Sequence, residues 1–170
     1  MSADVIISEL GASEFEEAFG VVSEACVYEQ MSLARPIARD KFLEKFVGSK
    51  KNFRLFRVLE QSSKAHLCYV GIDYNEGTPY LVFAWENVSF DDIREDLVSR
   101  LMEPLLDIYF ADPAQPSIFF FAPVEYRDIL ADPLELMGFD LVDDYPTVDP
   151  AEELVFILPR AAYESIYGRA

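Results

Sequence analysis

The feature of this sequence that most constrains its fold is a short apolar run near residue 120. The segment Ser117–Ala122 reads Ser-Ile-Phe-Phe-Phe-Ala, with four large apolar side chains in succession. A strand with one covered face alternates apolar and polar residues, whereas a continuous apolar run is typical of a strand covered on both faces. The run therefore predicts a central strand in a sheet that carries helices on both sides.

The rest of the chain alternates between helical and strand-like patterns. Apolar residues recur at three- and four-residue spacing in the helical segments, and the strand-like segments are short and rich in aromatic or branched residues. The other predicted strands are Val5–Glu9, Phe53–Leu59, Ala65–Tyr74, Pro79–Val88, Phe139–Val142 and Leu154–Leu158. The predicted helices follow residue 13 and Pro36 and cover about Phe90–Tyr109, Glu125–Met137 and Ala161–Tyr167.

These elements predict an α/β (α+β) protein with the order β-α-α-β-β-β-α-β-α-β-β, followed by a short C-terminal helix. The mixed central sheet should contain about seven strands. Turn-forming residues at 61–64 and 75–78 predict that the second, third and fourth strands form an antiparallel meander. Pro104 and Pro133 are expected to kink or interrupt their helices. The length of 170 residues fits a single domain spanning residues 1–170.

The charge balance excludes several classes of partner. There are 31 acidic residues against 14 basic ones, a formal charge of −17. Such a chain is not expected to bind nucleic acid directly or to dock on anionic lipid, but it would attract a basic protein partner. The same acidity is consistent with a purely solubilising role. No signal peptide and no apolar stretch of about 20 residues is recognisable, so we expect a cytoplasmic protein.

The element order resembles that of the GCN5-related N-acetyltransferase (GNAT) family over nearly the whole chain. The segment Leu136-Met137-Gly138-Phe139, where a helix is expected to enter a strand, is similar to a Leu-Gly-Phe junction common near the end of that domain. The resemblance implies that acyl-CoA phosphates would bind at the N-terminus of the helix after the fourth strand, held by backbone N–H groups and the helix dipole. In the family, glycines at this loop allow close approach of the backbone.

The corresponding segment here departs from that pattern. Residues 86–96 contain no glycine and hold five acidic residues and one basic residue. Val88, Ser89 and Asp92 occupy the positions of the cofactor loop, but a pyrophosphate approaching them would be repelled by neighbouring carboxylates. The sequence therefore predicts no cofactor, with acetyl-CoA or another acyl-CoA as the alternative.

The catalytic positions implied by the resemblance are also incomplete. Many members of the family place a tyrosine general acid four residues before the junction glycine, where this chain has Leu134. Tyr126 lies earlier in the same predicted helix but does not match the motif, and a role as a partly buried helix aromatic is favoured over that of a proton donor. Glu86, near the end of the fourth strand, is the candidate general base, and a solvated or capping role is the alternative.

An acidic segment between the last two strands is the candidate partner-binding surface. It contains Asp143, Asp144, Asp149, Glu152 and Glu153, without the spacing or turn glycine of an EF-hand calcium loop. The only histidine, His66, gives little support for a histidine-based triad or zinc site, so no metal is expected. Arg54 and Arg57, with Lys50 and Lys51, form the only basic concentration. Contact with a phosphate is one interpretation of this group, and a solvated strand face is the simpler one.

Two functional hypotheses follow. The first is a GNAT-like domain that has lost acyl-CoA binding and acts as an acidic protein-interaction or regulatory module. The second is an active N-acyltransferase with a divergent cofactor loop that transfers an acyl group to an amine of a basic substrate. Neither hypothesis fixes the oligomeric state.

Overall fold

The computed structural model describes residues 4–23, 38–48, 52–74, 77–84, 95–143, 145 and 152–168. Across these residues the chain forms seven strands and five α-helices in the predicted order. The strands are β1 (Val5–Glu9), β2 (Phe53–Glu60), β3 (His66–Asp73), β4 (Tyr80–Ala84), β5 (Ser117–Pro123), β6 (Asp140–Leu141) and β7 (Glu153–Pro159). The helices are α1 (Phe15–Ser23), α2 (Arg39–Val47), α3 (Glu95–Phe110), α4 (Arg127–Leu136) and α5 (Arg160–Tyr167). The expected α/β class with about seven strands is confirmed.

The chain divides into two compact units, Met1–Val88 and Ser89–Ala170. In the first unit, β1, β2, β3 and β4 are successive antiparallel neighbours, with Phe56 opposite Val70 in the β2–β3 pair. This arrangement confirms the predicted meander. The prediction of a single domain over residues 1–170 stays a prediction.

The core of the first unit is aromatic. Phe42 on α2 lies with its ring 5.8 Å from that of Phe15 on α1, 5.5 Å from that of Phe46 and 5.4 Å from that of Phe53 on β2. All four side chains are buried. Burying each ring contributes on the order of 1.5–3 kcal/mol, so this cluster fixes both helices on the same face of β2.

In the second unit, β7 lies between β5 and β6 and is antiparallel to both. Ile118, Phe119 and Phe120 on β5 are all buried at consecutive positions, as expected for the apolar run. Helix α3 buries Leu101 and Leu105 completely. These side chains supply the stripe that the helical spacing predicted.

Neither proline divides its helix, so the expected interruption at Pro133 is wrong and Pro104 does not split its helix in two. Helix α3 runs through Pro104, and α4 runs through Pro133. A proline removes one backbone hydrogen bond and crowds the preceding turn. Buried leucines flank both sites, namely Leu105 beside Pro104 and Leu134 beside Pro133. Their packing holds the helical path against the local penalty, since tertiary context overrides propensity.

The junction between α4 and β6 has the backbone geometry that the sequence indicated. Gly138 adopts φ +98, a left-handed conformation that favours glycine. A Cβ at this position would approach Ile166 Cδ1 to 2.5 Å and Leu158 Cδ1 to 3.0 Å. The glycine is therefore favoured by its φ, and a Cβ at this position would also require the ends of the Ile166 and Leu158 side chains to shift.

Candidate functional site

The cofactor-loop candidates lie outside the described residues. The described part of β4 ends at Ala84, and α3 is described from Glu95 onward. Glu86, Val88, Ser89 and Asp92 fall between them. Their predicted roles, as general base and as positional remnants of the phosphate loop, therefore stay predictions.

The structure describes both candidate positions for a general acid. Tyr126 ends a 3₁₀ turn, Val124–Tyr126, that leads into α4, and it is only 8% exposed. Leu134 is completely buried in α4. At the position where the family resemblance places a proton donor, the chain therefore has an aliphatic side chain that packs into the core.

The acidic segment is partly described. Asp143 and Glu152 are exposed, and Glu153 is half-buried at the start of β7. The N–H of Val142 donates to the carbonyl of Val155 at 2.8 Å, which places Asp143 beside the start of β7 and so near Glu153. Asp144 and Asp149 lie outside the described residues.

Tyr145, which follows Asp144 in this segment, contacts two aromatic side chains of β5. The ring of Tyr145 lies 5.5 Å from that of Phe119 and 6.0 Å from that of Phe121, with edge-on geometry in both pairs. Such contacts contribute about 0.5–1.5 kcal/mol each beyond the area they bury. The role of Tyr145 was not predicted, because its position two residues after Asp143 carries no periodic signal in the sequence.

Two arginines on β2, Arg54 and Arg57, contact carboxylates. Arg57 donates to Glu17 at 2.5 and 3.1 Å and lies 3.3 Å from Glu14. Arg54 donates to Glu9 at 2.7 and 3.0 Å. Arg54 and Arg57 lie three residues apart on β2 and therefore point to opposite faces of the sheet, each in ion pairs rather than on one solvated face. Lys50 and Lys51 lie outside the described residues. Arg57, followed by the hydroxyl of Tyr69, lowers the pKa of Glu17 despite the opposing effect of burial.

A second charged group lies at the far end of β3. Asp73 is 2% exposed, and its Oδ2 accepts from Lys45 Nζ at 2.7 Å and from the Tyr80 hydroxyl at 3.0 Å. Oδ1 of Asp73 has no hydrogen-bond partner among the described residues. This group fixes α2 against β3 and β4 through one buried carboxylate.

The negative charge is concentrated in the second unit. Residues 89–170 contain 18 acidic and five basic residues, which gives a formal charge of −13. Residues 1–88 contain 13 acidic and nine basic residues, which gives a formal charge of −4. Arg160 is occupied internally, because it donates to the backbone carbonyls of Phe110, Asp112 and Gln115. In the described part of the second unit, exposed carboxylates therefore outnumber exposed basic side chains.

Helix α4 carries part of that excess on one face. Asp128, Asp132 and Glu135 are all exposed, and their spacing of four and three residues places them in one row. This row was not predicted from the sequence, although its signal is present there as acidic residues at helical spacing.

Other reactive groups do not form a site in the described part of the chain. Burial raises the pKa of the Cys68 thiol to about 12, so this cysteine is not an activated nucleophile. No group of three or more histidine, cysteine, aspartate or glutamate side chains is placed to hold a metal ion within the described ranges. No described helix is long and apolar enough to cross a membrane.

Known structures share this architecture. Spermidine N-acetyltransferase from Vibrio cholerae in complex with CoA and spermine matches with a TM-score of 0.64 and 13% identity, over 95% of this chain and 99% of that chain. The aminoglycoside acetyltransferase AAC(6')-Ib in complex with coenzyme A matches with a TM-score of 0.59 and 12% identity, over 96% of this chain and 99% of that chain. An uncharacterised protein from Bacillus halodurans matches with a TM-score of 0.63 and 11% identity, over 96% of this chain and 88% of that chain.

Sequence comparison gives no further relatives. No protein-family model matches the chain, and no curated protein sequence matches it. At identities of 11–13% the structural likeness establishes a shared fold. It confirms the fold that the element order and the helix–strand junction predicted.

Proposed function

We propose that this chain, which has the GNAT acetyltransferase fold, is an acidic cytoplasmic module that binds a basic protein partner and does not bind acyl-CoA in the standard way. The observation that carries the proposal is the concentration of −13 formal charges in residues 89–170. Opposite charges on a partner would be steered toward this unit over about one Debye length, or ~8 Å at physiological salt.

Two further features support the loss of the standard chemistry. The segment at residues 86–96 lacks glycine and has a net negative charge, which opposes the approach of a pyrophosphate. The position of the general acid holds Leu134, which is completely buried. A domain with these two departures retains a scaffold on which the binding surface, rather than proton transfer, carries the function.

The second candidate is an active N-acyltransferase with Glu86 as general base and an amine of a basic substrate as acceptor. It is favoured by the structural match to an acetyltransferase that binds CoA and spermine, a polycation. An acidic surface would attract such a substrate equally well. The two candidates differ in whether acetyl-CoA binds.

Titration calorimetry separates them. We expect no saturable heat when acetyl-CoA is added to the protein, whereas a lysine-rich peptide should bind with an affinity that falls as salt rises. Saturable, equimolar acetyl-CoA binding together with acetylation of spermine would overturn the proposal. In that case Glu86→Gln should lower the turnover at least about a hundredfold if Glu86 is the base.

A further inference from the structure

Two of the four large apolar side chains that are exposed in the described residues lie on α4 and α5 of the second unit. Leu136 at the end of α4 is 83% exposed, and Ile166 on α5 is 49% exposed. Ile166 Cδ1 lies 2.5 Å from the position that a Cβ on Gly138 would occupy, two residues beyond Leu136. The hydroxyl of Tyr167 donates to the carbonyl of Met137 at 3.3 Å. The last turns of α4 and α5 therefore meet at this junction.

Leu136 lies at the C-terminal end of the acidic row on α4, about 100° around the helix from Glu135. Asp128, Asp132 and Glu135 run along the exposed face, and Leu136 follows Glu135 at the end of the helix. The opposite face of α4 packs inward through Leu130 and Leu134. One helix thus presents three carboxylates over about two turns and then an exposed aliphatic group, a combination that solvation alone does not require.

We propose that this surface, formed by the acidic face of α4 with Leu136 and Ile166, is a docking site for a basic amphipathic helix of a partner protein. Charge complementarity selects this occupant. A partner helix with lysine or arginine at matching three- and four-residue spacing would oppose the three carboxylates over roughly 10 Å. Its apolar side chains would cover Leu136 and Ile166, which supply the desolvated anchor that interfaces need.

Other occupants fit this surface less well. A second copy of the chain would bring two molecules of charge −17 together and oppose carboxylate to carboxylate. An anionic lipid surface would be repelled by the same row. The inference rests on the proposed function, because it assumes that a basic partner is bound, and it adds where that partner binds and why an apolar contact is part of recognition.

The test uses two synthetic helical peptides of about 18 residues, which is about five turns. The first has a lysine face and a leucine stripe, and the second has serine in place of each leucine. Binding to the full chain is measured by calorimetry at about 0.15 M salt, where surface charges are screened beyond ~8 Å. Leu136→Ser should weaken binding of the leucine peptide about tenfold and leave binding of the serine peptide unchanged.

A charge-matched pair of variants separates the surface from overall charge. Asp128→Asn/Asp132→Asn/Glu135→Gln removes three charges from α4, and Asp4→Asn/Asp40→Asn/Glu44→Gln removes three exposed charges from the first unit. The α4 variant should weaken binding of the leucine peptide at least about tenfold, and the control at most about threefold. Thermal unfolding of each variant verifies that it is folded.

The outcomes distinguish the two proposals. If neither peptide binds the unmodified protein, the proposed function fails and the docking site fails with it. If both peptides bind but Leu136→Ser has no effect, or if the two triple variants weaken binding equally, the docking site is refuted while the acidic module stands. As a second readout, the changes in backbone amide chemical shifts measured by NMR on peptide addition should centre on residues 128–138 and 162–168.

Discussion

The ion pair between Lys45 and Asp73 allows a quantitative test of what holds α2 against the sheet. The two charged atoms are 2.7 Å apart, and the side chain of Asp73 is 3% exposed while that of Lys45 is 28% exposed. At an effective dielectric constant of about 20, Coulomb attraction at this distance is about 6 kcal/mol before desolvation is subtracted. Desolvation of the buried carboxylate cancels a large part of this attraction.

Replacing Lys45 with methionine leaves the aspartate buried with the Tyr80 hydroxyl as its remaining donor. Breaking a buried pair in this way costs about 3–5 kcal/mol, and the partial exposure of Lys45 favours the lower end. We therefore expect Lys45→Met to lower the free energy of unfolding by about 3 kcal/mol. Asp73→Asn should cost only about 1–2 kcal/mol, because the neutral amide needs no counter-charge and Lys45 can turn toward water.

Urea denaturation followed by circular dichroism measures these values, and the double variant completes a thermodynamic cycle. The coupling free energy should be at least about 1 kcal/mol, since the lysine has little to stabilise once the carboxylate is gone. Lys41→Met, an exposed position one turn earlier on α2, is the matched control and should stay within about 0.5 kcal/mol. A loss below about 1 kcal/mol for Lys45→Met, or additive single effects, would refute the assigned role of the pair.

Two further predictions concern backbone strain and pH. Gly138→Ala should lower the free energy of unfolding by about 3 kcal/mol in thermal melts, because φ +98 is strained for alanine and its Cβ would meet Ile166 and Leu158. The control is Gly20→Ala in α1, where an added Cβ would have no heavy atom within 4 Å. This control should be neutral or stabilising. Arg57 lowers the pKa of Glu17, so the stability from this pair is present above about pH 4.3 and is lost as pH falls through the lowered folded value. Glu17→Gln should therefore destabilise the protein by up to about 1 kcal/mol at pH 7, and the deficit should shrink toward pH 3 in urea titrations.

The order of the elements was predictable because its signals are local. The apolar run of β5 became buried at consecutive positions, and β1 was predicted at its observed bounds, Val5–Glu9. The left-handed glycine at residue 138 was predictable from its place after an amphipathic helix. The interruption expected at Pro133 was wrong, because the effect of a proline on a helix depends on packing against other elements, which local propensity does not include.

The candidate site was less predictable. Leu134 was identified from its spacing to Gly138, but its burial depends on the surface against which α4 packs. The acidic row on α4 was visible in the sequence as a charge period. The exposure of Leu136 was not, since an aliphatic residue within an amphipathic helix is expected in the core. Only the placement of α4 leaves that side chain 83% exposed.

The sequence alone determined the class of fold, the order of its elements and the strong negative charge, because periodicity and composition act over a few residues or over the whole chain. The tertiary structure decided which charges are cancelled and which remain exposed. Arg57 meets Glu17 across 40 positions, and Lys45 meets Asp73 across 28. Such pairs form only when packing brings distant elements together, and this packing leaves the carboxylates of α4 facing solvent.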